Sequence, residues 1–195
     1  MKITLLEHTS NAEETIGRMA AECYDAKTDT ESCVRRAKHC KDAGHLATLR
    51  FAHATFNVAG ISRVCSHQLV RVAHAGILQR SQRYTKAKLE FVEPEVLKGL
   101  DDHFILEWRR IQKYAAALYT KLSGGLMRKE DARYILPQSC TTSLNVCMNF
   151  QGWRDFLRNR NCNAAQWEIR EVAQEIQRKL HEIAPNIFDE VKKKK

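Results

Sequence analysis

Proline and glycine are scarce in this chain, three and eight among 195 residues, and no Ser, Gly or Pro tract interrupts it. That scarcity excludes collagen-like and low-complexity architectures and leaves no composition shift to mark a flexible linker. No apolar run is long enough to span a bilayer, and MKITLLEHTSNAEE reaches acidic and polar residues too early for an export signal. Neither an internal repeat nor a CxxC pair is present. The nearest approach to a metal set is Cys33, His39, Cys40 and His45. It lacks the doubly paired spacing of a structural zinc site, so no metal is expected. Carboxylates are also in the minority, 23 Asp and Glu against 32 Lys and Arg, for a formal net charge of +9. Such a surface or cleft attracts anions without choosing among nucleic acid, phosphate ligands and acidic partners. Part of the excess lies in the run Lys192 to Lys195, and residues 190–195 are expected to form a frayed, solvated tail.

What remains is globular in character. Hydrophobic residues make up 44% of the chain, enough for one core, so residues 1–195 are expected to form a single domain. Seven cysteines, an odd number, fit free thiols in a reducing compartment, and a cytoplasmic location is expected.

Periodicity supplies the elements. Ile3 to Glu7 reads as a strand, Asn11 to Cys23 as a helix capped by Ser10 or Asn11, and Thr30 to Cys40 as a second helix. Ala54 to Ile61 is β-branched and aromatic, which predicts a strand stopping at Gly60. Ser62 is placed to cap a helix in which Ile61, Cys65, Leu69 and Val72 form a buried stripe, with His67, Arg71 and His74 on another face. Gln82 to Val92 is expected to be a strand ahead of Pro94. Phe104, Trp108, Ile111, Ala115, Leu118 and Leu122 mark a long helix ending at Gly124 and Gly125. Ile169 to Ile183 marks another, stopped by Pro185. Several helices and few strands, without strict alternation, predict an α+β fold with a small mixed or antiparallel sheet packed by helices.

The segment Gln68 to Lys86, QLVRVAHAGILQRSQRYTK, carries the most chemistry. Arg80, Ser81, Gln82, Arg83 and Tyr84 place two guanidinium forks and a short hydroxyl donor close together, a combination suited to phosphate, although Arg and Ser in a polar turn are more often surface than ligand.

Within that segment Arg71, Ser81 and Arg83 stand at the spacing of the signature Arg-His-Arg, two residues, Ser, four residues, Ser, one residue, Arg. Ile61, Ser62, Arg63 and His67 to Val70 precede it, and Gln82 to Tyr84 follow. Glu130 to Arg133 with Leu136 and Pro137 make a later block, and Asn149, Phe156, Leu157, Arg160 and Ala165 to Arg170 a last one. In these motifs, over about His45 to Arg170, the chain resembles the flavin-dependent thymidylate synthases.

The resemblance implies transfer of a one-carbon unit from methylenetetrahydrofolate to C5 of dUMP, with reduction by FADH2 and NADPH as hydride source. It implies a nucleotide site of Gln68, Arg71, Gln79, Arg80, Ser81, Arg83, Arg133 and Arg160, with catalytic roles for Arg160 and Ser81. A phosphate and a uracil ring do call for several cations, an amide to pair with the base and a cation near N3 and O4. On the FAD side it points to His45, Arg50, Arg71, His74, Gln79, Asn149, Gln151 and Asp155. The chain departs from the pattern here: Val72 and Ala73 stand in place of the signature's central His and second Arg, Gly76 in place of its first Ser, Arg50 and Phe51 in place of a Glu-His pair, and Gln151 in place of an Arg. His74 and Arg50 are candidates to replace the lost donors. The resemblance further implies a homotetramer in which Arg133 and Arg160 reach a nucleotide held by another protomer. Alternatives are a pyrimidine nucleotide hydroxymethylase of the same fold, a basic nucleic-acid-binding module resting on Arg63, Arg71, Arg80, Arg83 and Tyr84 without a recognised motif, and a catalytically silent paralogue.

Overall fold

The computed structural model describes residues 1–189. The expectation of a frayed basic tail at 190–195 lies outside them. Four strands form one sheet in the order β1-β2-β4-β3: β1 Lys2–His8, β2 His53–Ser62, β3 Gly76–Gln79 and β4 Thr141–Asn149. Flanking bonds fix an antiparallel register. Thr9 N–H donates to His53 O, Phe150 N–H to Ala52 O and Arg80 N–H to Ser143 O. The helices are α1 Ala12–Ala21, α2 Thr30–Asp42, α3 Arg63–Leu69, α4 Asp102–Lys121, the single turn α5 Lys129–Ala132, α6 Phe150–Arg160 and α7 Trp167–Ile183. This is the expected α+β architecture.

Two compact units partition the chain. One comprises Met1, Ala59–His67 and Gln79–Leu144; the other comprises Lys2–Val58, Gln68–Leu78 and the chain from Asn145 onward.

In the second unit, α1 lies against α2, and their contact depends on Gly17. A Cβ there would sit 1.9 Å from the Cys33 carbonyl oxygen, so only glycine permits the approach. Asp29 caps α2 by accepting from Ser32 N–H at 2.9 Å. The core is aromatic. Trp153 is fully buried, meets Phe56 edge-on at 5.1 Å and donates its indole N–H to Ala54 O at 2.9 Å. Burying an aromatic side chain of that size stabilises by about 3 kcal/mol, and the bond leaves no orphaned donor. Ile169, Val172, Ala173, Ile176 and Leu180, the stripe read from the sequence, are all buried along α7.

In the first unit, Ser62 caps α3 as expected, accepting from Cys65 N–H at 3.0 Å. Helix α4 buries Gln112, Ala115 and Tyr119. Gln112 accepts from the Ser139 hydroxyl at 2.7 Å, and the Tyr119 hydroxyl accepts from Ala87 N–H at 3.2 Å. The predicted stripe is only partly covered, since Phe104 and Ile111 are more than half exposed. Past Lys121 the chain leaves the helix through Leu122–Leu126, where Gly125 takes φ 135, a value that favours glycine.

Four local expectations are corrected. Asn11 stands at the start of α1 in a left-handed conformation, φ 47, and its side chain makes no capping bond. Strand β2 passes Gly60 and ends at Ser62, because Gly60 at φ 73 bends the strand without ending it. The helix from Ser62 stops at Leu69: Val72 N–H bonds to Leu69 O and His74 turns left-handed at φ 60, so His67, Arg71 and His74 do not share a helix face. Finally, Gln82 to Val92 is not a strand. The Ser81 hydroxyl accepts from Arg83 and Tyr84 N–H, which holds those donors in a turn; a single bridge, Phe91 to Cys140, remains. The strand of this region is β3, upstream.

Candidate active site

The second unit contains a cleft of about 710 Å³. Helix α6 forms one wall along its whole length, because Asn149, Gly152, Asp155, Phe156, Asn159 and Arg160 recur at three and four and so share a face of roughly 16 Å. Asn149 caps the helix, its side-chain oxygen accepting from Gly152 N–H at 2.8 Å. Gly152 keeps that turn open, since a Cβ there would come within 3.3 Å of Met148. Arg160 closes the far end, where a cation also suits the helix dipole. The turn Arg71–His74 and Arg50, in the 3₁₀ stretch Leu46–Phe51, supply the other lining.

Three guanidinium groups, Arg50, Arg71 and Arg160, face this space against one carboxylate, Asp155. Asp155 is engaged along its own helix, accepting from Gln151 Nε2 at 2.9 Å and from Arg158 at 3.2 Å. The Gln151 amide nitrogen is thereby committed, while its oxygen is buried with no partner among the described residues. A buried acceptor of that kind asks for a donor from a ligand or from water. The cleft therefore combines excess positive charge with neutral hydrogen-bonding groups and the apolar Val72, Ala73 and Phe156, the lining expected for a large phosphorylated aromatic ligand.

Of the residues carried over for the flavin, Arg50, Arg71, His74, Asn149, Gln151 and Asp155 thus line one cleft together with Arg160. His45 stands exposed just before Leu46–Phe51 and is not in the lining. Gln79 belongs to the other unit, where its amide donates to Ser66 Oγ at 2.9 Å and Thr142 Oγ1 at 3.3 Å. Gln68 lies half-buried on α3, away from the cleft lining.

The remaining nucleotide candidates fall in the first unit. Arg80 takes its place beside β4 through its backbone, and its guanidinium reaches Lys86 O at 3.4 Å. The Ser81 hydroxyl holds the next turn. Arg83 donates to the Glu130 carboxylate and lies over the Tyr84 ring at 5.4 Å. Arg133 donates from Nε to Glu130 O at 3.0 Å, so Glu130 holds both arginines in place, one through its side chain and one through its backbone. Arg83 and Arg133 nonetheless open into different hollows. Arg83 lines one of about 450 Å³ with Tyr84, Arg128 and Lys129; Arg133 lines one of about 360 Å³ with Arg63, Gln82 and Tyr134. Within the second unit Arg50, Arg71 and Arg160 line one cleft; within the first, Arg133 shares a hollow with Arg63, and Arg83 lines another.

Sequence reading missed Arg63 and Asn159 as lining residues. Asn159 was legible from its helical spacing to Asp155 and Gly152, whereas Arg63 is separated from Arg133 by seventy positions. Burial draws the Arg63 guanidinium below its ordinary value and nearby Arg133 acts in the same direction, opposed by the Cys140 thiol. Burial in turn pushes the Cys140 thiol above its ordinary value, against the pull of Arg63, so it is held protonated rather than reactive. Among the described residues no group of His, Cys, Asp and Glu is arranged to hold a metal, and no helix is long and apolar enough to cross a membrane.

Comparison with known proteins gives a consistent result. The family model described as "Thymidylate synthase complementing protein" matches residues 4–186. The chain is 37% identical over 186 residues to a flavin-dependent thymidylate synthase of Pyrococcus furiosus, covering 89% of this chain and 76% of that protein. It is 38% identical over 201 residues to the one from Thermococcus kodakarensis, covering 95% and 80%. To the one from Clostridium tetani it is 34% identical over 212 residues, covering 96% and 85%.

Proposed function

This chain belongs to the thymidylate synthase complementing protein family, and on that basis we propose that it is a flavin-dependent thymidylate synthase, an enzyme that converts dUMP to dTMP. The one-carbon unit comes from methylenetetrahydrofolate, and the reducing equivalents come from NADPH. The reading rests on one observation: the cleft along α6 gathers Arg50, Arg71, His74, Asn149, Gln151, Asp155 and Arg160, although these positions are scattered over more than a hundred residues.

Those residues suit a flavin dinucleotide. Arg50 and Arg71 match its phosphates, Asn149 and Gln151 offer amides to its polar edge, and the orphaned Gln151 oxygen accepts from an N–H. When bound, the flavin supplies hydride chemistry that no side chain here can provide. The chain's own contribution is binding and charge. Arg160 stabilises negative charge developing on the pyrimidine at N3 and O4, Arg71 and Arg133 bind anionic groups, Gln68 pairs with the base, and Ser81 orients the loop that carries Arg83.

Residues 1–195 work as one domain in this reading, within a cytoplasmic homotetramer whose active sites are shared between protomers. Its support is the apolar surface of α4, where Phe104, Leu106, Ile111 and Tyr114 are 54%, 64%, 59% and 69% exposed, more than a monomer usually leaves in one stretch. Seven free cysteines suit a reducing compartment. Anaerobic incubation with FAD, NADPH, methylenetetrahydrofolate and dUMP, followed by product mass, tests the whole. The reading predicts a methylated product and bleaching of the flavin spectrum; a hydroxymethyl product without bleaching sinks it in favour of a hydroxymethylase.

A further inference from the structure

Residues 184–189 leave α7 as a turn in which the Ile187 and Phe188 N–H groups donate back to Ala184 O at 3.1 and 3.0 Å. Side chains from α1, α2, α6 and α7 hold this turn in place. Glu13 of α1, itself buried, accepts twice from Asn186, from the backbone N–H and from the side-chain amide, both at 2.7 Å. Lys41 of α2 donates to the Asp189 carboxylate at 2.6 Å. His181 Nδ1 of α7 lies 3.2 Å from Phe188 O. Arg154 of α6 donates from Nη1 to Ile187 O. Ile187 and Phe188 are buried, and the Phe188 ring meets that of Phe150, the first residue of α6, edge-on at 4.9 Å.

Packing alone does not call for an arginine here. Burial draws the Arg154 guanidinium below its ordinary value, and its Nε is buried with no partner among the described residues. An apolar side chain of similar length would fill the space without desolvating a cation. What the arginine adds is direction, because its planar fork fixes where the Ile187 carbonyl stands relative to α6. Its place on the helix gives that direction a consequence. Arg154 stands between Gly152 and Asp155, which face the cleft, and next to Trp153, whose indole bond to Ala54 O ties α6 to β2. One side chain thus ties the helix to the sheet and the next ties it to the strap 184–189. Side chains radiate at about 100° per residue along a helix, so any roll of α6 that follows release of the strap moves Gly152, Asp155 and Asn159 together.

We propose that Arg154 is a positioning residue for the cleft, acting through the strap 184–189 to fix the placement of α6. It is not among the cleft's lining residues, and neither is any residue of the strap. Their effect on binding therefore passes through the helix.

That the cleft's occupant is a flavin dinucleotide rests on the thymidylate synthase reading; the role of the strap does not. The test compares FAD affinity, read by flavin fluorescence well below the melting temperature, in the wild type, Arg154→Met, Arg154→Lys, Asn186→Ala and the double variant of Arg154→Met with Asn186→Ala. The proposal predicts a roughly tenfold loss for R154M, partial rescue by R154K, and a similar loss for N186A. It also predicts a double variant little worse than either single one, because both changes release the same strap. Unchanged affinity in R154M and N186A overturns the proposal, and so do additive losses, the mark of two independent contacts. Should R154M fail to fold, R154K and N186A carry the test: weaker binding by N186A upholds the strap, and wild-type affinity in both overturns it. If the wild type binds no FAD, the functional reading fails first, and amide hydrogen exchange decides the strap. Exchange quickened by N186A and R154M at α6 and at 184–189, with the rest of the unit unchanged, upholds it; unchanged exchange, or a uniform rise across the unit, overturns it.

Discussion

The cleft of the second unit and the hollow of the first both present arginines, yet they solve the problem of holding a cation differently. In the cleft, Asp155, Gln151 and Arg158 bond to one another along a single helix face, so the cations share their space with a carboxylate and neutral amides. In the hollow, Arg63 and Arg133 have no carboxylate to share. Mixed lining over a large volume suits a ligand with charged, neutral and aromatic parts, whereas unrelieved positive charge in a small volume suits a compact dianion. Counting arginines alone would not separate the two; what separates them is the local supply of acceptors.

The largest effect expected from breaking this contrast is at Arg160. Removing a cation that stabilises charge in the transition state lowers turnover about 100-fold or more, so Arg160→Ala should retain its fold by circular dichroism and lose dTMP formation in single-turnover assays. Next comes Arg71→Ala, which should weaken flavin retention about tenfold to a hundredfold, read from the visible spectrum after gel filtration. An unchanged spectrum would remove Arg71 from the cofactor's side.

Gln151→Arg sharpens the comparison in the other direction. It adds a cation beside Asp155 and should tighten binding of a flavin dinucleotide by roughly fivefold, measured by fluorescence quenching. Weaker binding would mean that the orphaned amide oxygen, and not missing charge, sets affinity at that end.

The smallest effect is on stability against acid, where each unit has its own probe. In the second unit the Ser32 N–H holds the Asp29 carboxyl below its ordinary value of 3.8, and in the first the bonds from Arg109 hold Glu93 below 4.5. Both values are depressed on folding. Each contribution is therefore complete above the unfolded value and is lost as pH falls through the lowered one. Asp29→Asn and Glu93→Gln should each lower the melting temperature slightly at neutral pH, with the difference from wild type shrinking to nothing as pH falls below about 4, which flattens the acid limb. A uniform shift at all pH values would contradict the assignment.

Legibility in the sequence followed the range of the interactions. The stripe on α7 and the cap at Ser62 were readable because helical periodicity and capping are local, settled within four residues. The helix after Ser62 was overread for the same reason: Val72 continues the apolar spacing, yet the left-handed turn at His74 ends the element at Leu69. Gln82 to Val92 has strand-forming residues, but Ser81 claims the N–H groups of Arg83 and Tyr84 before any ladder forms. Among candidate site residues, Arg71 and Arg160 were named through family motifs, while Arg63, though it stands in the run Ile61, Ser62, Arg63, had nothing local to join it to Arg133.

Sequence alone determined the class of fold, the family and the excess of positive charge, because composition, periodicity and ordered motifs are properties of the chain read along its length. Only the tertiary structure decided which cations act together. Arg50, Arg71 and Arg160 meet in one cleft and Arg63 meets Arg133 in another hollow because antiparallel pairing and the packing of helices bring distant positions into contact. Whether a guanidinium is relieved by a carboxylate or left for a ligand depends on that three-dimensional neighbourhood.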